Sequence, residues 1–114
     1  MATKTTDINE WTIIKFIASI RPQDPEVRKQ LDFGYSYDGK VVILFEIRSA
    51  WDASKEIVQK EFAKIRFYKS KKEWHLNWMR ANGKWELYEP FSKATHLEAL
   101  LDIVKQDQYG CFLG

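Results

Sequence analysis

The 114-residue sequence predicts an α+β fold, a five-stranded antiparallel meander sheet with an N-terminal and a C-terminal helix packed on one face. Three observations predict it. Apolar residues recur at helical spacing near both ends, at Ile8, Trp11, Ile14 and Ile17 and again at Leu97, Leu100, Leu101 and Val104. From Leu31 onward the apolar period falls to two. The turn pairs Asp38-Gly39, Ser70-Lys71 and Asn82-Gly83 then divide that region into hairpins. Helices at the ends and strands between them segregate into two layers around one core.

The first helix is expected over about residues 7–20, with Asp7 as N-cap and Glu10 as its capping-box partner. Its stripe of Ile8, Trp11, Ile14, Ile17 and Ala18 is widened by Ile13, Phe16 and Ile20, so it should pack on more than one neighbour. Pro22 disfavours helical geometry at Arg21 and ends the helix. Asp24-Pro25-Glu26 reads as the N-cap and first two positions of a short helical turn.

The sheet is expected over about residues 31–89. A two-residue turn at Ser70-Lys71 sets Phe67 opposite Trp74, Ile65 opposite Leu76 and Ala63 opposite Trp78, all apolar. A two-residue turn at Asn82-Gly83 sets Trp78 opposite Leu87 and Arg80 opposite Trp85. The other face then carries Arg66 with His75, Lys64 with Asn77, and Asn77 with Tyr88. At the first hairpin a three-residue loop, Tyr37-Asp38-Gly39, sets Phe33 opposite Ile43 and Leu31 opposite Phe45. On that register Val41, Ile43, Phe45 and Ile47 face the core, while Val42, Leu44, Glu46 and Arg48 face outward. In the connection from Ser49 to about Glu61, Trp51 is expected to fold over a sheet edge and Asp52 to cap a short turn. Thr95-His96-Leu97-Glu98 reads as the capping box of a last helix over about 95–107, followed by an apolar tail, 108–114. No linker or repeat interrupts the chain, so residues 1–114 read as one domain.

The net charge of +2 is too small for bulk attraction to nucleic acid. One cysteine, Cys111, cannot form an internal disulfide, which fits a reducing compartment. The first residues show no signal-peptide pattern and no apolar run approaches a membrane span, so a cytoplasmic protein without a membrane partner is expected.

The segments LDFGYSYDGKVVILFEIRSAW, Ala63-Lys64, WHLNWMRANGKWELYEP and YGCFLG together resemble a family of small bacterial proteins, domain of unknown function number three thousand and twenty-four. The resemblance runs from about Arg21 to Gly114 and departs at Ser49-Ala50, where the family is expected to carry a proline after E-I-R. It implies one domain with these boundaries. It implies no activity, cofactor or catalytic residue.

The residues themselves offer three functions. The first is a non-catalytic module for a protein partner or a homodimer, using an apolar patch of Val42, Leu44, Phe62 and Met79 beside the charges of the open face. The second is nucleic-acid binding. Its polar face holds Glu46, Arg48, Lys64, Arg66, Tyr68, His75, Asn77 and Tyr88, and the basic stripe extends through Lys69, Lys71, Lys72 and Lys84. Lysines would pair with phosphates there, and Tyr68, His75 and Tyr88 would stack on bases. Lysine at turns and edges also serves simply to resist aggregation. The third is a metal-dependent nuclease, from Glu46-x-Arg48 with Asp32 or Asp38 as a second carboxylate. Arginine cannot be deprotonated to activate water, which places that reading last. Cys111 and the two histidines are isolated in sequence, so no zinc site, cofactor site or catalytic residue is expected.

Overall fold

The computed structural model describes residues 7–49 and 57–113. It is an α+β fold with one antiparallel sheet and helices at both ends. The elements are α1 (Ile8–Ile20), α2 (Pro25–Arg28), β1 (Leu31–Tyr37), β2 (Val41–Ser49), β3 (Ile57–Tyr68), β4 (Glu73–Met79), β5 (Trp85–Leu87), β6 (Lys93–Ala94) and α3 (Leu97–Gln106). Strands run in the order β1-β2-β3-β4-β5, and β6 continues the β5 side of β4 after a 3-10 turn, Glu89–Phe91. The expectations for Trp51 and Asp52 lie outside the described residues.

Asp7 caps α1 by accepting from the Asn9 amide at 2.8 Å. Glu10 does not close a capping box: its Oε2 instead accepts from the Tyr35 hydroxyl at 2.8 Å, tying α1 to β1. Asp24 caps α2 through the Glu26 amide, 2.9 Å, with Pro25 at the first helical position. His96 makes no side-chain cap, so the expected box at α3 is not formed either. At the far end of α3, Asp107 takes the left-handed conformation at φ 43°, and its carboxylate accepts from the amides of Phe112 (2.9 Å) and Leu113 (2.7 Å). Those bonds fold the tail back onto the sheet.

One core lies between the sheet and the helix layer. Ile13, Phe16 and Ile17 of α1 and Leu97, Leu100, Leu101 and Val104 of α3 meet Val42, Leu44, Ala63, Ile65, Trp74 and Leu76 of the strands. Only part of the expected α1 stripe is buried. Ile8, Trp11 and Ile14 point outward, because the helix is apolar around most of its circumference and its core side runs through Ile13, Phe16 and Ile17.

The β3–β4 hairpin has the expected register, with Phe67 opposite Trp74, Ile65 opposite Leu76 and Ala63 opposite Trp78. The other two hairpins differ from expectation by their turns. In the first, Gly39 and Lys40 are the central residues: the Asp38 amide donates to the Val41 carbonyl at 3.4 Å, and Gly39 has φ +98°. The Asp38 carboxylate holds that turn by accepting from the amides of Lys40 and Val41 at 2.9 and 2.8 Å. Tyr37 is therefore opposite Val42, Tyr35 opposite Leu44 and Phe33 opposite Glu46. This reverses the expected faces of β2: Val42 and Leu44 are fully buried, while Val41, Ile43, Phe45 and Ile47 lie on the helix-free side. The register is shifted by three residues, Phe33 moving from Ile43 to Glu46, and any odd shift moves every side chain to the other face.

In the last hairpin the loop is Ala81-Asn82-Gly83. Arg80 donates to Lys84 at 2.9 Å, Gly83 donates to Arg80 at 2.9 Å, and Gly83 has φ +81°. Asn77 is consequently opposite Leu87, Trp78 opposite Glu86 and Met79 opposite Trp85. Trp85 thus shares the helix-free face, and the Arg80 guanidinium lies over Trp78, 5.4 Å from its centroid.

Candidate functional site

The helix-free face is built on β2, β3 and β4. Val41, Ile43, Phe45 and Ile47 form a row along β2, opposite Arg66, Lys64, Glu61 and Gln59 of β3. Beyond β3, the face continues through His75, Asn77 and Met79 of β4 to Trp85 and Leu87. Gly34 of β1 lies opposite Phe45.

The structure brings together Lys64, Arg66, Tyr68, His75 and Asn77 from the expected polar face. Arg66 stacks over the Tyr68 ring at 5.2 Å, and the Tyr68 and His75 rings are 4.2 Å apart at 39°. His75 Nε2 lies 3.1 Å from Glu73 Oε1, and that bond lowers the pKa of Glu73. Among the described residues, neither Lys64 nor Arg66 has a carboxylate partner.

Three of the expected residues lie elsewhere. Glu46 and Arg48 share the helix-side face of β2 with Leu44, beyond the end of the core, with Arg48 Nε donating to Glu46 Oε1 at 3.1 Å. Tyr88 is buried, its ring 4.9 Å from that of Phe112, because the three-residue turn shifts β5 by one position. Of the expected apolar patch, Val42, Leu44 and Phe62 are core residues, and only Met79 reaches the helix-free face. Phe62 is the extra residue of a bulge in β3, where the register with β2 slips between Leu44 and Phe45. The bulge directs Phe62 inward beside Ala63, edge-on to Phe33 with centroids 6.1 Å apart.

The carboxylates proposed for metal chemistry are not gathered. Asp32 accepts from Nε and Nη2 of Arg21, each contact 2.7 Å, and this keeps its pKa below the ordinary carboxylate value. Asp38 is occupied by backbone amides of its own turn, and Glu46 is on the opposite face from Asp32. Among the described residues, no three His, Cys, Asp or Glu side chains converge as metal ligands. The Cys111 thiol has a raised pKa, from burial first and from the nearby Asp107 second, so it stays protonated at neutral pH.

Sequence reasoning missed Val41, Ile43, Phe45 and Ile47 as half-buried residues of the helix-free face. The signal that finds them is the first turn, since Gly at the first central position of a two-residue loop places Gly39-Lys40, not Asp38-Gly39, at the tip.

The chain matches the family described as Domain of unknown function (DUF3024) over residues 2–114. It belongs to DUF3024. No curated protein and no solved structure matches this DUF3024 chain. Among its described residues, no helix is long and apolar enough to cross a membrane.

Proposed function

We propose that this DUF3024 chain is a non-catalytic protein-interaction module that self-associates through the helix-free face of its sheet. The observation that supports this reading is the half-buried row Val41, Ile43, Phe45, Ile47, with no helix of the described residues over it; beyond the polar side chains of β3 the same face reaches Met79, Trp85 and Leu87. Apolar rows of this kind on a sheet are normally covered, and a second sheet packs on one at a separation of about 10 Å. The face also carries both signs of charge, Lys64 and Arg66 along β3 and Glu61 beside them, which lets two copies pair charges across a two-fold axis. Light scattering over a concentration series tests it: wild type should gain mass with concentration, and Ile43→Lys should remain monomeric. A wild-type chain that stays monomeric at millimolar concentration rules out self-association.

A second reading, nucleic-acid binding, is favoured by the stacked column of Arg66, Tyr68 and His75 beside Lys64. Cations and ring faces in one place suit single-stranded nucleic acid. Anisotropy with labelled single-stranded oligonucleotides at low salt tests it, and binding unaffected by Lys64→Glu with Arg66→Glu discards it.

A further inference from the structure

Glu46 and Arg48 play no part in the helix-free face, yet they line a cleft of about 480 Å³ whose wall also takes in Glu61 and Met79 from that face. That volume lies in the range of small-molecule sites, roughly 300–1,000 Å³. Three separate parts of the chain wall it: β2 with β3, the turn Arg80–Gly83, and the tail Gly110–Leu113 that Asp107 draws back.

The cleft has an apolar floor and a cationic rim. Phe62, turned inward by the β3 bulge, and Phe112 and Leu113 of the tail form the floor. Glu46 lies opposite Lys60 in the β2–β3 register, so one carboxylate stands between two cations, Arg48 and Lys60. The Glu46 side chain is 12% exposed and engages the Nε side of Arg48, whose own side chain is 57% exposed. Glu46 therefore holds the guanidinium by Nε and makes no hydrogen bond to its two terminal nitrogens. Lys60 makes no ion pair among the described residues. Arg80, by contrast, is committed to Glu86 at 2.7 Å and to the face of Trp78. Glu61 at the rim tempers the positive charge and disfavours polyanions.

We propose that this cleft binds a small organic anion, a carboxylate or phosphate monoester on an apolar body, with Arg48 and Lys60 clamping the anion and Phe62, Phe112 and Leu113 receiving the body. A guanidinium with two free nitrogens matches either anion through paired, charge-assisted hydrogen bonds. The apolar floor supplies the affinity that an exposed ion pair alone does not.

The test is a titration of ¹⁵N-labelled full chain followed by amide chemical shifts, with 3-phenylpropionate and phenyl phosphate as probes. Inorganic phosphate and 3-phenylpropanol serve as half-ligand controls. The expected result is saturable shifts at Phe62, Ala81, Gly83 and Phe112, with both controls binding at least about tenfold more weakly. Arg48→Ala with Lys60→Ala should weaken the probes by a further factor of roughly ten or more while the remaining amide spectrum is unchanged. Both side chains are exposed, so the variant should fold. Preference between the two probes assigns the anion class. Shifts that do not saturate, that map to β2 residues of the other face, that persist in the double variant, or that inorganic phosphate reproduces at equal concentration overturn the proposal.

Discussion

The ring of Phe45 lies over Gly34, its cross-strand partner on the helix-free face. A Cβ added at Gly34 would stand 2.7 Å from Phe45 Cε1 and 3.3 Å from Ile47 Cδ1. Glycine in a strand is unfavourable in isolation, and an aromatic ring laid across it restores the lost packing. The contact also fixes β1 against β2, because any other register would bring a bulkier residue under the ring.

A double-mutant cycle reads this relationship. Gly34→Ala alone should destabilise the chain by about 1 kcal/mol, since the ring must swing away from the strand. In a Phe45→Ala background the same change should become neutral or stabilising by about 0.5 kcal/mol, because alanine restricts the unfolded chain. Urea unfolding of the four proteins measures both, and equal effects in the two backgrounds would show no contact.

Leu44 offers a sharp contrast with its neighbour Ile43. Leu44 is fully buried, so Leu44→Ala should cost about 2–5 kcal/mol. Ile43→Lys keeps an aliphatic stem over the sheet and should cost under about 1 kcal/mol. Thermal unfolding of the two variants separates them, and the opposite order would restore the inverted face assignment.

The β3–β4 hairpin and α3 were legible in the sequence because each segregates its apolar residues to one side. Ala63, Ile65 and Phe67 alternate with Lys64, Arg66 and Tyr68, and α3 has a single stripe. Strand β2 was not, since Val41–Ile47 is apolar on both faces and alternation cannot choose between them. The choice is made by the Asp38–Val41 hydrogen bond and by the tyrosines of β1, whose hydroxyls reach Glu10 and Asp7 on α1 only from the helix side. Helix α1 is ambiguous for the same reason, with apolar residues nearly all round. The grouping of Lys64, Arg66, Tyr68, His75 and Asn77 was therefore readable. The positions of Glu46, Arg48 and Tyr88 were not, because they depend on turn lengths that differ by one residue.

The Arg21–Asp32 pair makes stability depend on pH. The guanidinium holds the folded Asp32 pKa below the ordinary aspartate value of 3.8, so the pair's contribution is complete above that value. It is lost as the pH falls through the lower folded pKa. Asp32→Asn should therefore cost about 1 kcal/mol at pH 7, with the difference from wild type shrinking below about pH 4. Urea unfolding at pH 7, 4 and 2.5 follows it, and a difference constant with pH would show that the pair contributes through packing alone.

Asp107 anchors the tail through two amide bonds from a left-handed position. Asp107→Ala removes both acceptors and places alanine at a positive φ, so it should cost about 2–3 kcal/mol and expose Phe112. Asp107→Asn tolerates the backbone and keeps one acceptor, and it should cost about half as much. Hydrogen exchange at the Phe112 and Leu113 amides reports release of the tail, and full protection in the alanine variant would contradict the anchor.

Association through the helix-free face is read out by amide chemical shifts recorded as the protein is concentrated. Concentration-dependent shifts are expected at Ile43, Phe45, Ile47, Lys64 and Arg66, and none in Ile43→Lys. Spectra that do not change with concentration, or shifts confined to the outward ridge of Ile8, Trp11 and Ile14 on α1, would contradict it.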